Sequence, residues 1–207
     1  MDILSILFGS ESRIRMMRLF LFNPENCFDL FDVCDKSKIS SKDVKKEFFV
    51  LEKATFIKRK DFYKVIKKIK NGKTEEIKNK VHGYCLNKDF AYISVIKQLL
   101  INSKIFEDNE LVRKLTKIGK IKLLVVSGVF IDQKDNRVDI LIVGDNLNKN
   151  TMNKVIKSIE AELGKELIYA FFETSDFEYR LQMYDKLVRD IIDFPHQVLL
   201  NKLQVQI

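Results

Sequence analysis

The chain has 207 residues, 46% hydrophobic and 32% charged, with 37 Lys and Arg against 29 Asp and Glu for a net charge of +8. That apolar fraction excludes a largely disordered chain, and the length accommodates one large domain or two small ones. The longest nearly unbroken apolar run, Leu123 to Ile131, falls far short of the roughly 20 residues that cross a bilayer, and MDILSILFGSESR has no basic segment ahead of its apolar part, so neither a membrane span nor a secretion signal is expected.

Ser10 precedes the helical pattern ESRIRMMRLFLF, in which Ile14, Met17 and Leu21 recur at spacings of three and four. Asn23-Pro24 ends that helix, and Phe28 to Cys34 suits a short second one. Ser40 with Asp43 approximates a capping box for a third, whose apolar stripe is Val44, Phe48 and Leu51 and whose far face carries Lys42, Lys45 and Lys46. Phe56 to Lys70 and Thr74 to Leu86 flank Asn71-Gly72, the strongest short hairpin signal. A two-residue turn there pairs Phe62 with Val81, Ile66 with Ile77, Lys67 with Glu76 and Lys68 with Glu75, two apolar and two opposite-charge pairs.

Tyr92 to Ile105 reads as a connecting helix, and Asn109 to Ile118 as another that stops at Gly119. Ile121–Val126 and Val138–Val143 are apolar, β-branched runs that suit buried strands. Met152, Val155, Ile156, Ile159 and Leu163 give a helix closed by Gly164, and Leu167–Phe172 a third strand. Asp176 to Asp193 is helical with a break near Asp185, and His196–Leu200 returns as a last strand after Pro195. The class is α+β, with expected domains at 1–90 and 108–207 and a connecting helix within 91–107.

The charge is segregated. Residues 1–90 hold 20 basic and 13 acidic side chains, a net of +7, and residues 91–207 a net of +1. Lys36 to Lys80 alone carries 16 basic and 6 acidic residues, a net of +10. A concentrated basic field is the electrostatic footprint of a polyanion binder. Cys27, Cys34 and Cys85 form no Cys-x-x-Cys, and only His82 and His196 could join them, so idle thiols in a reducing cytosol are expected and a metal site is not. No P-loop, Gly-x-Gly-x-x-Gly or His-Glu-x-x-His is present, and no cofactor is expected.

Helix, helix, turn, basic helix and hairpin is the order of winged helix-turn-helix domains, and Val33 to Ile57 resembles that family. The resemblance implies that the helix after Ile39-Ser40 lies in a major groove with Ser41, Lys42, Lys45 and Lys46 toward DNA. Lys58, Arg59 and Lys60, and Lys70 and Lys73 at the hairpin tip, would then neutralise phosphates. Lys38 and Thr55 stand at turns where the family commonly has Gly, and Phe49 and Val50 where it is commonly polar, which leaves a protein-binding face as a rival use of that surface.

The later half resembles the minimal nucleotidyltransferase domains of the polymerase-β superfamily, in which a first strand ends in Gly-Ser and the next carries Asp-x-Asp. Here Gly128 matches, Val129 replaces the Ser, Arg137 replaces the first Asp and Asp139 matches the second. The third strand supplies no carboxylate before Glu173, and Asp132 and Asp135 lie on the intervening loop. A cation at a ligand position repels Mg²⁺, and one carboxylate does not assemble a two-metal site, so Gly128, Arg137 and Asp139 are read as vestigial and no catalytic residue is assigned. Asp139 is expected to pair with Arg137 or a lysine, or Arg137 to bind an anion such as a nucleotide phosphate.

The whole chain thus resembles a family of prokaryotic proteins in which a winged helix is fused to a minimal nucleotidyltransferase-like domain. Tyr84-x-Leu86-Asn87-x-Asp89-Phe90 stands at the junction and Ile118-Gly119-Lys120-Ile121 before the first strand. The resemblance implies a cytoplasmic, homodimeric regulator of transcription that binds double-stranded DNA. An active Mg²⁺-dependent nucleotidyltransferase and a protein-binding scaffold without DNA contact are the alternatives.

Overall fold

The computed structural model describes residues 3–70, 73–101, 105–133 and 136–206, with side chains 66–76 left aside. It is a mixed α and β structure with two sheets. The chain divides into two compact units, 1–101 with 161–165, and 102–160 with 166–207.

The first unit begins with a short helix, α1 (Ile3–Leu7), that the sequence pattern does not announce. α2 (Glu11–Phe22) follows, capped by Ser10, whose hydroxyl accepts from the Arg13 amide at 3.1 Å. Ile14 and the run Met16 to Leu21 are buried, so α2 is the helix around which this unit packs. A two-residue strand, β1 (Cys27–Phe28), leads into α3 (Leu30–Ser37). The reciprocal capping box belongs to α3: the Asp32 amide donates to Asp29 at 2.8 Å and the Asp29 amide to Asp32 at 3.1 Å. At α4 (Ser41–Lys53), Ser40 caps the Asp43 amide, but Asp43 receives the Ser40 hydroxyl at 2.6 Å instead of a backbone amide. That half of the expected box is therefore absent, because the acid side chain is engaged by the cap itself.

Lys38 and Thr55, which bracket α4, have φ of 52° and 60°. They are the two turns where glycine was the expected residue. Both adopt the left-handed conformation anyway, at a cost of about 1–2 kcal/mol for a side-chain-bearing residue. β2 (Ile57–Lys70) and β3 (Lys73–Leu86) pair antiparallel in the expected register, Phe62 with Val81, Ile66 with Ile77, Lys67 with Glu76 and Lys68 with Glu75. The Asn71-Gly72 turn lies outside the described residues. β1 joins the far edge of β3 to give the order β1-β3-β2.

This pairing overturns the expectation for the thiols. β1 sets Cys27 opposite Cys85 with Cα atoms 4.4 Å apart, and the two form a disulfide. That spacing is the narrow pair of an antiparallel ladder, where facing side chains are closest. Cys34 remains a free thiol, and burial pushes its pKa up. The connecting helix is shorter than expected, α5 (Ile93–Leu100), and 102–104 of the expected span lie outside the described residues. The core of the unit joins Ile14 and Phe20 of α2, Val33 of α3, Val44, Phe48 and Leu51 of α4, and Phe56 and Ile57 at the start of the hairpin.

In the second unit, α6 (Asp108–Leu115) continues into a short 3-10 turn before β4 (Lys120–Val126). β5 (Ile140–Asp145), α7 (Lys149–Leu163) as far as Glu160, β6 (Tyr169–Glu173), α8 (Thr174–Gln182), α9 (Lys186–Asp193) and β7 (Gln197–Asn201) complete it. Asp185 caps α9 by accepting from the amides of Leu187 and Val188, which explains the break in the helical pattern. The sheet runs β6-β5-β4-β7, with β5 and β6 parallel and the other pairs antiparallel. Leu123, Leu141 and Val143 on the strands meet Phe177, Val188 and Ile191 on α8 and α9 to form its core.

Candidate nucleic-acid interface

α4 owes its position to the side it buries. Val44, Phe48 and Leu51 face the core, and Glu47 joins them at 2% exposure. A carboxylate at that depth needs charged or hydrogen-bonded partners. Glu47 has them: Arg13 Nε at 2.8 Å and the Ser10 hydroxyl at 2.7 Å, while the Arg13 guanidinium also donates to the Phe8 carbonyl at 2.7 Å. Ser10 thus caps α2 and fastens α4. Phe48, next to Glu47, stacks on Tyr84 of β3 with ring centroids 4.2 Å apart, fixing the middle of the buried stripe against the hairpin.

With that face buried, the opposite one is set. Ser41, Lys42, Lys45, Lys46, Phe49 and Lys53 are exposed. Lys42, Lys45 and Lys46 form no ion pair among the described residues. Lys53, which the sequence reading did not single out, shares this face at seven residues from Lys46, a helical spacing visible in the sequence.

The hairpin residues divide by what they touch. Arg59 is engaged by Glu52 of α4 at 2.7 Å and lies 5.9 Å over the Tyr84 ring, so it braces the hairpin against α4. Lys58 lies 3.9 Å from Asp89, and Lys60 lines an open cleft with Lys36, Cys27 and Phe62. The side chains of Lys70 and Lys73 lie outside the described residues, although the backbone pairs the two positions. Lys64, not singled out by sequence, holds the hairpin to α3, with its ammonium 2.6 Å from Asp29 and 2.5 Å from Asp32. Burial pushes Asp29 up, but Lys64 and the Asp32 amide outweigh it and hold the carboxyl below its ordinary value. Farther along the hairpin, Lys80 and His82 both reach Asp61 and lower its pKa.

In the second unit, Asp139 is 6% exposed and its carboxylate is occupied by backbone. One oxygen accepts from the Val129 amide at 3.0 Å and the other from the Ile168 amide at 2.9 Å. Gly128, with φ of 56°, is required there, since a Cβ would collide with the Asp139 carboxylate. The expected pairing of Asp139 with Arg137 or a lysine is therefore replaced by two amides, and Arg137 instead meets Asp190 of α9 at 2.6 Å. One of those amides comes from the turn after β4 and the other from the residue just before β6, so both carboxylate oxygens are occupied before any side chain reaches them.

Glu173 pairs in register with Gly144, five positions along β5 from Asp139. At roughly 3.3 Å per residue this puts the two acids about 16 Å apart, too far to share a metal pair. Among the described residues no cluster of three or more His, Cys, Asp or Glu could hold a metal ion. Asp132 is exposed on its loop and Asp135 lies outside the described residues. Among them, no helix is long and apolar enough to cross a membrane. No protein-family model, curated protein or solved structure matches the chain.

Proposed function

We propose that the chain is a DNA-binding regulator of transcription whose first unit is a winged helix-turn-helix reader. The observation that carries this reading is the exposed face of α4, where Lys42, Lys45 and Lys46 make no ion pair among the described residues while the reverse face is anchored in the core. An α-helix fits the major groove, and cations without internal partners are free to replace the counterions of a phosphate backbone. The element order and the β1-β3-β2 sheet support it, because they place a hairpin directly after the basic helix.

The second unit, in this reading, is a nucleotidyltransferase-like domain without catalysis that serves dimerisation or ligand sensing. Its support is the spent carboxylate of Asp139 and its distance from Glu173. A homodimer suits the reader, since one small module covers little duplex and paired half-sites raise affinity. The reading places the protein in the cytoplasm with its DNA. The Cys27–Cys85 bond pulls the other way, because cytosolic thiols are ordinarily kept reduced.

The test is duplex affinity against salt concentration. Affinity should fall steeply as salt rises, and replacing Lys42, Lys45 and Lys46 with alanine should flatten the slope of log K against log salt by about 3. Salt-insensitive binding, or none to any duplex, would refute it.

A further inference from the structure

We infer that Phe49 reads thymine, by packing its ring on the C5 methyl group in the major groove. This deepens the reading of α4 as the groove-lying helix and rests on it. Phe49 is 68% exposed, although Phe48 beside it is buried. Lys45 and Lys46 lie one turn before it, Lys42 two turns before and Lys53 one turn after, so the ring stands at the centre of the cationic face. Lysines on every side suit a polyanion, and the major groove of DNA is the polyanionic surface that also presents an apolar group, the thymine methyl.

The other exposed residues narrow the choice. Ser41, Lys42, Asp43, Lys45, Lys46 and Lys53 complete the exposed part of α4, which holds no Arg, Asn or Gln. The side-chain forks that grip adenine, and the guanidinium fork that grips guanine, are therefore absent from this helix. The lysines reach phosphates or guanine acceptors, and Phe49 is the exposed apolar side chain able to register a methyl, Val50 beside it being only half-exposed. Burying such a methyl against the ring is worth about a fourfold gain in affinity for each one contacted.

The experiment compares an alternating A·T duplex with the same duplex carrying uracil for thymine, a change that removes only the C5 methyl groups. The full-length protein should bind the thymine duplex at least about fourfold more tightly. Phe49→Ala should bind both duplexes alike, near the affinity of the unaltered protein for the uracil duplex, and Phe49→Leu should keep part of the preference. The alanine triple variant at Lys42, Lys45 and Lys46 should weaken binding to both by the same factor. Equal, salt-sensitive binding of both duplexes by the unaltered protein would overturn the role of Phe49 and leave the DNA reading standing. A thymine preference that survives in Phe49→Ala would overturn it as well. Failure to bind these duplexes or any other, at any salt concentration, would remove the DNA reading itself.

Discussion

Asp139 and Glu47 show how one residue type takes its role from what surrounds it. Both are buried carboxylates, one satisfied by two backbone amides and the other by Arg13 and Ser10. The sequence revealed Asp139 as an isolated acid on a strand, but its amide partners lie ten and 29 residues away and have no local signature. Glu47 interrupts an apolar stripe, and its partners stand 34 and 37 residues upstream, so its burial was not legible either. Lys38 and Thr55 were legible in part, because both stood where glycine was expected and both proved left-handed. Asp139→Asn turns an NH₂ toward a backbone N–H and should lower unfolding free energy by about 1–3 kcal/mol, read as a shift in the urea midpoint. If the acid served only to bind metal, the midpoint would stay put.

Among elements, the hairpin was the most legible, because a two-residue turn fixes the register of every pair that follows. β1 was the least legible, since two residues carry no periodicity and its existence depends on β3, far along the chain. The attachment of the hairpin to α3 gives a pH dependence. Asp29 has a folded pKa below its ordinary 3.8, so its contribution to stability is complete above that value and disappears as pH falls through the lower folded one. Lys64→Gln should cost about 1.5–3 kcal/mol at pH 7, by leaving two carboxylates without their cation. The gap between the variant and the unaltered protein should narrow once the pH drops below about 4, in urea midpoints measured at both values. A gap that is the same at pH 3 would dissociate the ion pair from the stability of this unit.

For the whole molecule, the step in charge near residue 90 and the division of the chain at 101 fall close together. The α+β class was legible because strand and helix periods alternate cleanly after Gly119. The covalent link between β1 and β3 was not, since three cysteines at scattered spacing say nothing of which strands become neighbours. That link has a topological result. Residues 27–85 become a closed ring containing α3, α4, β2 and almost all of β3. A protease that nicks the ring once opens it without releasing a piece. A singly cut chain should therefore run as one species on a non-reducing gel, heavier by one water in the mass spectrum, and part into two fragments only after reductant is added.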